Sequence, residues 1–241
     1  MKVAIYVEGL TEMTFVYRLI RIVYDDDWCR FHVWCVNSAS SGVEDLYPYG
    51  DSQAPNYYLI INCESDQAVV SKLLKNADNQ LSCGYDKIIG LRDVYSKGYK
   101  AVYGDNFSPD NVRNFINSCQ STISQVKLGN PISLHFAIME IEAWFLALER
   151  ILHEIDCRLT PSFLKNNLSF DYTLDPETAF FHPCSKLKEI YRSIELSYNK
   201  HYEEIKNIVF KFQSADIKDL LGSNKCNSFN EFYEDLFQSM S

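Results

Sequence analysis

The sequence predicts an α/β fold: a mainly parallel sheet flanked by helices, followed by a helical C-terminal region. Three observations predict it. Short apolar runs, VAIYV at 3–7, YYLII at 57–61 and KIIGL at 87–91, have strand length and strand composition. Up to about residue 150 such runs alternate with amphipathic stretches, the pattern of parallel strands joined by helical crossovers. Beyond about residue 155 the alternation stops and the chain reads as helices only. The expected organisation is an α/β domain over residues 1–150 and a helical region over 151–241 packed on it.

Each element has its own signal. Val3–Val7 is an apolar run of buried-strand type, and Thr11 to about Tyr24 carries Phe15, Leu19 and Ile22 at helical spacing. Asp25-Asp26-Asp27 ends that helix as a solvated turn. Phe31–Val36 alternates as a second strand, and residues 37–56, rich in Ser, Gly, Asp and Pro, read as a loop or small insertion. Tyr57–Asn62 is the next strand, after which Ser65 or Asp66 can cap a helix through AVVSKLLKNA at 68–77. Lys87–Leu91 is a strand that runs into Arg92-Asp93-Val94-Tyr95, and SKGYKAVYGDNF at 96–107 reads as a loop. Ser108-Pro109-Asp110 opens a helix to about Gln125. Pro131–Ile138 is a further strand, leading directly into a helix start over Met139–Leu146. The remaining helices are expected at Pro161–Asn166, Lys186–Tyr198, Tyr202–Phe212, Ile217–Leu221 and Ser228–Gln238.

Composition removes several classes. With 46% hydrophobic residues, 23% charged residues, 16 Tyr and 15 Phe, the chain has the material for a packed core and not the profile of a disordered one. No apolar run reaches membrane-spanning length, and the N-terminus lacks the basic and apolar regions of a signal peptide, so a cytoplasmic protein without membrane association is expected. The eight cysteines form no C-x-x-C pair and no zinc-type spacing, which fits reduced thiols. The net charge of −9 argues against affinity that rests on neutralising phosphates. A nucleic acid would have to be met through a local patch, a partner or metal ions.

The carboxylates carry the functional signal. Glu8, Asp93 and the pair Glu140 and Glu142 each follow the carboxyl end of a predicted strand, where open α/β sheets bind ligands. Carboxylates brought together there repel one another unless a cation intervenes. A hard divalent ion such as Mg²⁺ (or Mn²⁺) takes oxygen ligands, often one or two carboxylates plus substrate phosphate. It can then polarise a phosphodiester and activate water. Other polar residues read more plainly: His135 as a satisfied core histidine, and Trp144 and Phe145 as core.

The stretch VEGLTEMTF at 7–15 resembles the opening motif of TOPRIM domains. It is most similar to the branch of overcoming-lysogenisation-defect-type (OLD) nucleases and small bacterial defence proteins encoded beside ABC-type ATPases. GLRDVY at 90–95 resembles that branch's second motif, and IMEIEAWFL at 138–146 its later acidic motif. Asp175-Pro176-Glu177, Pro183–Leu187, Tyr198-Asn199-Lys200 and Cys226–Phe229 with Phe232 keep the order of the branch. The resemblance implies a TOPRIM-like sheet and a Mg²⁺-dependent endonuclease cutting DNA or RNA, tRNA included. It also implies a toxic effector role in antiphage defence, with an ABC-type ATPase partner; it leaves homo-oligomerisation open. It implies Glu8, Asp93 and Glu12 as catalytic residues, and Glu8, Asp93, Glu140 and Glu142 as metal ligands. Gly9 suits a tight strand-to-helix turn where a side chain could block phosphate approach, and Lys186 and Lys200 read either as point charges for substrate phosphate or as residues of solvated helix faces. Thr11 would cap the first helix. Two departures stand out: Tyr95 occupies the place of a second aspartate, and Met139 the place of a histidine. They keep a second class in view, a degenerate site serving as a regulatory binding module.

Overall fold

The computed structural model describes residues 1–37, 48–124 and 131–237. Six strands form one sheet: β1 (Lys2–Val7), β2 (Phe31–Asn37), β3 (Tyr49–Gly50), β4 (Asn56–Asn62), β5 (Lys87–Asp93) and β6 (Ile132–Ala137). Their order is β3-β2-β4-β1-β5-β6, and every pairing is parallel except that of β2 with β3. The fold is therefore the α/β class expected, with β1 and β5 side by side at its centre. Val3 faces Lys87 and Val7 faces Leu91 across that pair.

The sheet is covered on both sides, as parallel sheets require. On one face α1 (Leu10–Val23) packs Phe15, Val16, Leu19 and Ile20 over Val3, Ile5, Val7, Ile89 and Leu91. On the other lie α2 (Asp66–Ser82), α3 (Lys97–Tyr103) and α4 (Pro109–Ser124), around Ala4, Tyr6, Ile88 and Phe136. Close packing of α2 uses Gly90: a Cβ there would stand 2.7 Å from Leu134 Cδ1 and 3.1 Å from Leu73 Cδ1. Ser65 caps α2 by accepting the Ala68 N–H.

After β6 the chain is helical: α5 (Glu142–Leu146), α6 (Glu149–Ile155), α7 (Pro161–Leu168), α8 (Pro176–Ala179), α9 (Pro183–Ser193), α10 (Tyr202–Val209), α11 (Ser214–Gly222) and α12 (Asn227–Phe237). Leu187, Ile190, Ile205, Ile208, Phe212, Phe229 and Phe232 join the α1-face core. Phe15 makes the connection visible, stacking obliquely or edge-on with Trp144, Phe145, Phe212 and Phe229 at centroid distances of 5.5–6.1 Å. The helical region thus completes the hydrophobic face that α1 alone cannot cover.

Several local expectations are revised. Residues 96–107 contain α3, started by Ser96, whose Oγ accepts the Tyr99 N–H while Tyr99 is buried. Strand β5 runs two residues further than its apolar run, through Arg92 and Asp93. No helix begins at Met139. That residue sits in the left-handed region (φ 60°), and the Glu140 N–H closes a three-residue turn on Ile138 O at 2.9 Å. Helix α5 starts only at Glu142. Of the loop expected over 37–56, residues 38–47 lie outside the described residues, as do Gln125 and Gln238.

His135 is satisfied as expected. Its Nε2 lies 2.7 Å from Asp235 Oδ2, and Lys87 Nζ lies 2.8 Å from Asp235 Oδ1. Ser133 Oγ donates to the same carboxylate. Serine, histidine and aspartate meet here without forming a catalytic triad, because the serine bonds the aspartate and not the histidine. The cluster instead ties α12 to the sheet. Burial alone would raise the Asp235 pKa, but the donors from His135, Lys87 and Ser133 outweigh it and hold the carboxyl well below its usual range. Its stabilisation is present above that usual range and fades as pH falls below it. Asp235→Ala should cost about 2–3 kcal/mol, the scale for lost hydrogen bonds to a charged group, measured by urea denaturation at neutral pH. An unchanged midpoint would show that α12 is held by its apolar face alone.

Candidate active site

Topology places the site before any side chain is considered. The chain leaves β1 through α1 on one face toward β2, and leaves β5 through α3 and α4 on the other face toward β6. Neighbouring strands whose continuations diverge in this way open a crevice at their carboxyl ends. Glu8 is the residue after β1, and Asp93 is the last residue of β5. Alternation along β5 puts Asp93 on the side of Ile89 and Leu91, the α1 face, and Glu12 lies in the first turn of α1.

The carboxylates are packed together. Glu8 Oε2 accepts the Asp93 backbone N–H at 3.1 Å, and Asp93 Oδ1 accepts the Ile141 N–H at 2.9 Å. These bonds engage Glu8 Oε2 and Asp93 Oδ1; Glu8 Oε1 and Asp93 Oδ2 take no part in them. Glu12, Asp93 and Glu142 are 4%, 6% and 0% exposed, so charge here is not dispersed by water. Burial pushes the Glu8 pKa up to about 7, and the Glu12 charge adds to it. The Asp93 N–H and Arg92 oppose that rise. Burial raises Glu12 as well. Asp93 is pushed well above its ordinary value, first by burial and then by the charges of Glu12 and Glu8.

A lysine reaches this cluster. Lys200, in the segment between α9 and α10, places Nζ 2.9 Å from Glu142 Oε1. The same oxygen accepts the Tyr198 hydroxyl at 3.0 Å. Burial alone would lower the Lys200 pKa; Glu142 and Asp93 reverse this and drive it up. Glu142 Oε2, by contrast, is buried with no hydrogen-bond partner. Behind Glu8, Arg92 pairs with Asp66 at 3.4 Å, the guanidinium lying over Phe115 and Phe136.

The structure thus brings Glu8, Glu12, Asp93, Glu142 and Lys200 together, and not all the remaining candidates. Glu140 Oε2 accepts the Cys184 N–H at 2.8 Å, at the start of α9, so this carboxylate caps a helix N-terminus. Lys186 is engaged elsewhere, donating to Leu168 O at 3.1 Å and pairing with Glu189 at 2.6 Å. Gly9, not Thr11, is the N-cap of α1. Its φ of −152° suits any residue, so conformational freedom is not why glycine stands there. A Cβ there would lie 3.2 Å from Glu12 Oε2, so the Glu12 carboxylate would have to shift by a few tenths of an ångström. Tyr95 turns away from the carboxylates, its hydroxyl 3.3 Å from Asp105 and its ring against Phe181 and His182. Tyr198 and Arg92 were not singled out as site residues by pattern, although Tyr198 lies within a tail motif and Arg92 is a charge inside a buried strand.

Among the described residues, no three His, Cys, Asp or Glu side chains are grouped closely enough to hold an ion by themselves. The donor set nevertheless suits a hard cation of the Mg²⁺ kind. All its donors are carboxylate oxygens, Glu8 and Asp93 stand at the ends of adjacent strands, and Mg²⁺ commonly takes one or two carboxylates and completes its shell with water and phosphate.

No family model, no curated protein and no solved structure matches the chain.

The electrostatics predict a pH signature. In the unfolded chain Glu8 would ionise near its ordinary 4.5, and in the folded chain near 7. Between those values the folded state holds the extra proton, so stability falls as pH rises through the window and levels above it. In chelator, wild-type thermal stability should decline relative to Glu8→Gln between pH 4.5 and 7. The variant should be the more stable protein above that range. Parallel pH profiles would show that Glu8 does not carry this strain.

Proposed function

We propose that the chain is a divalent-metal-dependent phosphodiesterase of TOPRIM type, acting on DNA or RNA. One observation carries the reading: Glu8 and Asp93 meet at the switch point of the sheet, each with one carboxylate oxygen fixed by a backbone N–H. An acidic chain can approach a polyanion at such a place, because a bound cation inverts the local charge.

Bound Mg²⁺ or Mn²⁺ would supply Lewis-acid polarisation of the phosphodiester and a more acidic water. Glu8 and Asp93 would hold it. Their backbone bonds, Asp93 N–H to Glu8 and Ile141 N–H to Asp93, fix both carboxylates before substrate arrives. Gly9 keeps the entrance free of a side chain. Glu12 is the buried carboxylate beside it, and its raised pKa suits a group that takes a proton from the attacking water. Attack forms a P–O bond and breaks the bond to the leaving sugar oxygen, which solvent reprotonates.

The role in the cell follows from the resemblance in the first motifs: a toxic effector of antiphage defence in the cytoplasm, restrained until an ABC-type ATPase partner releases it. The competing reading, a regulatory subunit with a silent site, is favoured by Lys200, which already brings one positive charge to the carboxylates.

Both readings meet in one experiment. With Mg²⁺ or Mn²⁺ and the ATPase partner present, wild type should cut DNA or total tRNA. Glu8→Gln and Asp93→Asn should each lose roughly 10²-fold or more, since lost metal ligation removes several kcal/mol of transition-state stabilisation. Undiminished cutting by Glu8→Gln would end the catalytic assignment. Loss of biological function only on surface substitution would favour the regulatory subunit.

A further inference from the structure

The segment that carries Lys200 is built to hold it in place. Lys200 has φ 61°, a left-handed conformation unusual for lysine. Glu204, in the first turn of α10, accepts the N–H of Asn199 at 2.6 Å and the N–H of His201 at 3.1 Å. One carboxylate oxygen thereby clamps the backbone on both sides of Lys200. Its other oxygen accepts Ser197 Oγ at 3.3 Å. One residue before this clamp, Tyr198 is buried and donates to Glu142. The segment therefore reaches the same carboxylate twice, through a hydroxyl and an ammonium. Glu142 is fully buried, yet its Oε2 has no partner. The lysine and tyrosine satisfy half of a carboxylate whose other half is left for something else.

We infer that Lys200 is a resident cation of the carboxylate cluster, that Glu204 is its positioning residue, and that a divalent ion must compete with Lys200 for the site. The inference rests on the metal-site reading above and adds its regulation. A single ammonium lowers the repulsion among Glu12, Asp93 and Glu142. It also repels an arriving divalent ion, because two cations drawn to one carboxylate cluster oppose each other. Affinity for metal is weakened, and weakened through a segment outside the sheet. A ligand or partner that pulls on the turn before α10 would remove the lysine from Glu142 and strengthen ion binding.

The test is Mn²⁺ binding to purified full-length protein, followed by electron paramagnetic resonance and repeated by calorimetry, without substrate. Wild type should bind weakly. Lys200→Met should bind about tenfold tighter or more, and Lys200→Arg, which keeps the charge, should stay near wild type. Glu204→Ala, which frees the turn but keeps the lysine, should gain a few-fold. Glu204→Gln, which keeps an acceptor, should not. If Lys200→Met does not fold with Glu142 left unpaired, Glu204→Ala against Glu204→Gln carries the test alone. Equal or weaker binding by the folded Lys200→Met or by Glu204→Ala overturns the competition. If wild type binds and Glu8→Gln abolishes binding while those variants are unchanged, the metal site stands and only the competition fails. If neither wild type nor any variant binds Mn²⁺, both fail.

Discussion

Repulsion among buried carboxylates is the constraint around which this protein is arranged. Four acids stand at the carboxyl edge of β1, β5 and the turn after β6, three of them nearly out of contact with water. A charge in that setting costs several kcal/mol unless it is paired or protonated. The chain answers with backbone N–H donors to Glu8 and Asp93, with raised pKa values, and with a lysine carried in from beyond α9. The cluster stands where β1 and β5 send their continuations to opposite faces of the sheet.

The helical region is part of this solution. It supplies Lys200 and Tyr198 to the cluster, and its α9 offers Glu140 a helix N-terminus to cap. Phe212, Phe229 and Phe232 complete the core over α1. The Asp235 cluster then fastens the last helix to β5 and β6. Sheet and helices share one hydrophobic interior on the α1 face, and the turn before α10 touches the Glu142 carboxylate directly.

Much of this was legible in the sequence. The apolar runs gave β1, β4, β5 and β6 to within one or two residues, and strand-end position alone pointed to Glu8 and Asp93. What escaped did so for physical reasons. Helix α3 is seven residues with a glycine near its start, so it shows a cap but little periodicity. The pairing of β3 is two residues long. The end of β5 hides because Arg92 and Asp93 are charged, yet the strand continues and Arg92 is neutralised by Asp66, a partner 26 residues away. Glu140 and Glu142 look equivalent in a row. Only the left-handed turn at Met139 turns one to the α9 terminus and the other to Lys200. Glu204 resembles any glutamate in a first helical turn, and its role depends on the backbone of residues 199 and 201.

The central claim is that Glu8 and Asp93 share one divalent ion. A double-mutant cycle on metal affinity tests it most directly. Mn²⁺ dissociation constants would be measured for wild type, Glu8→Gln, Asp93→Asn and the double variant. If the two carboxylates hold the same ion, each single change should abolish most of the binding, and the double variant should be little worse than either. Losses that simply add, or binding that survives both substitutions, would place the ion elsewhere and contradict the account.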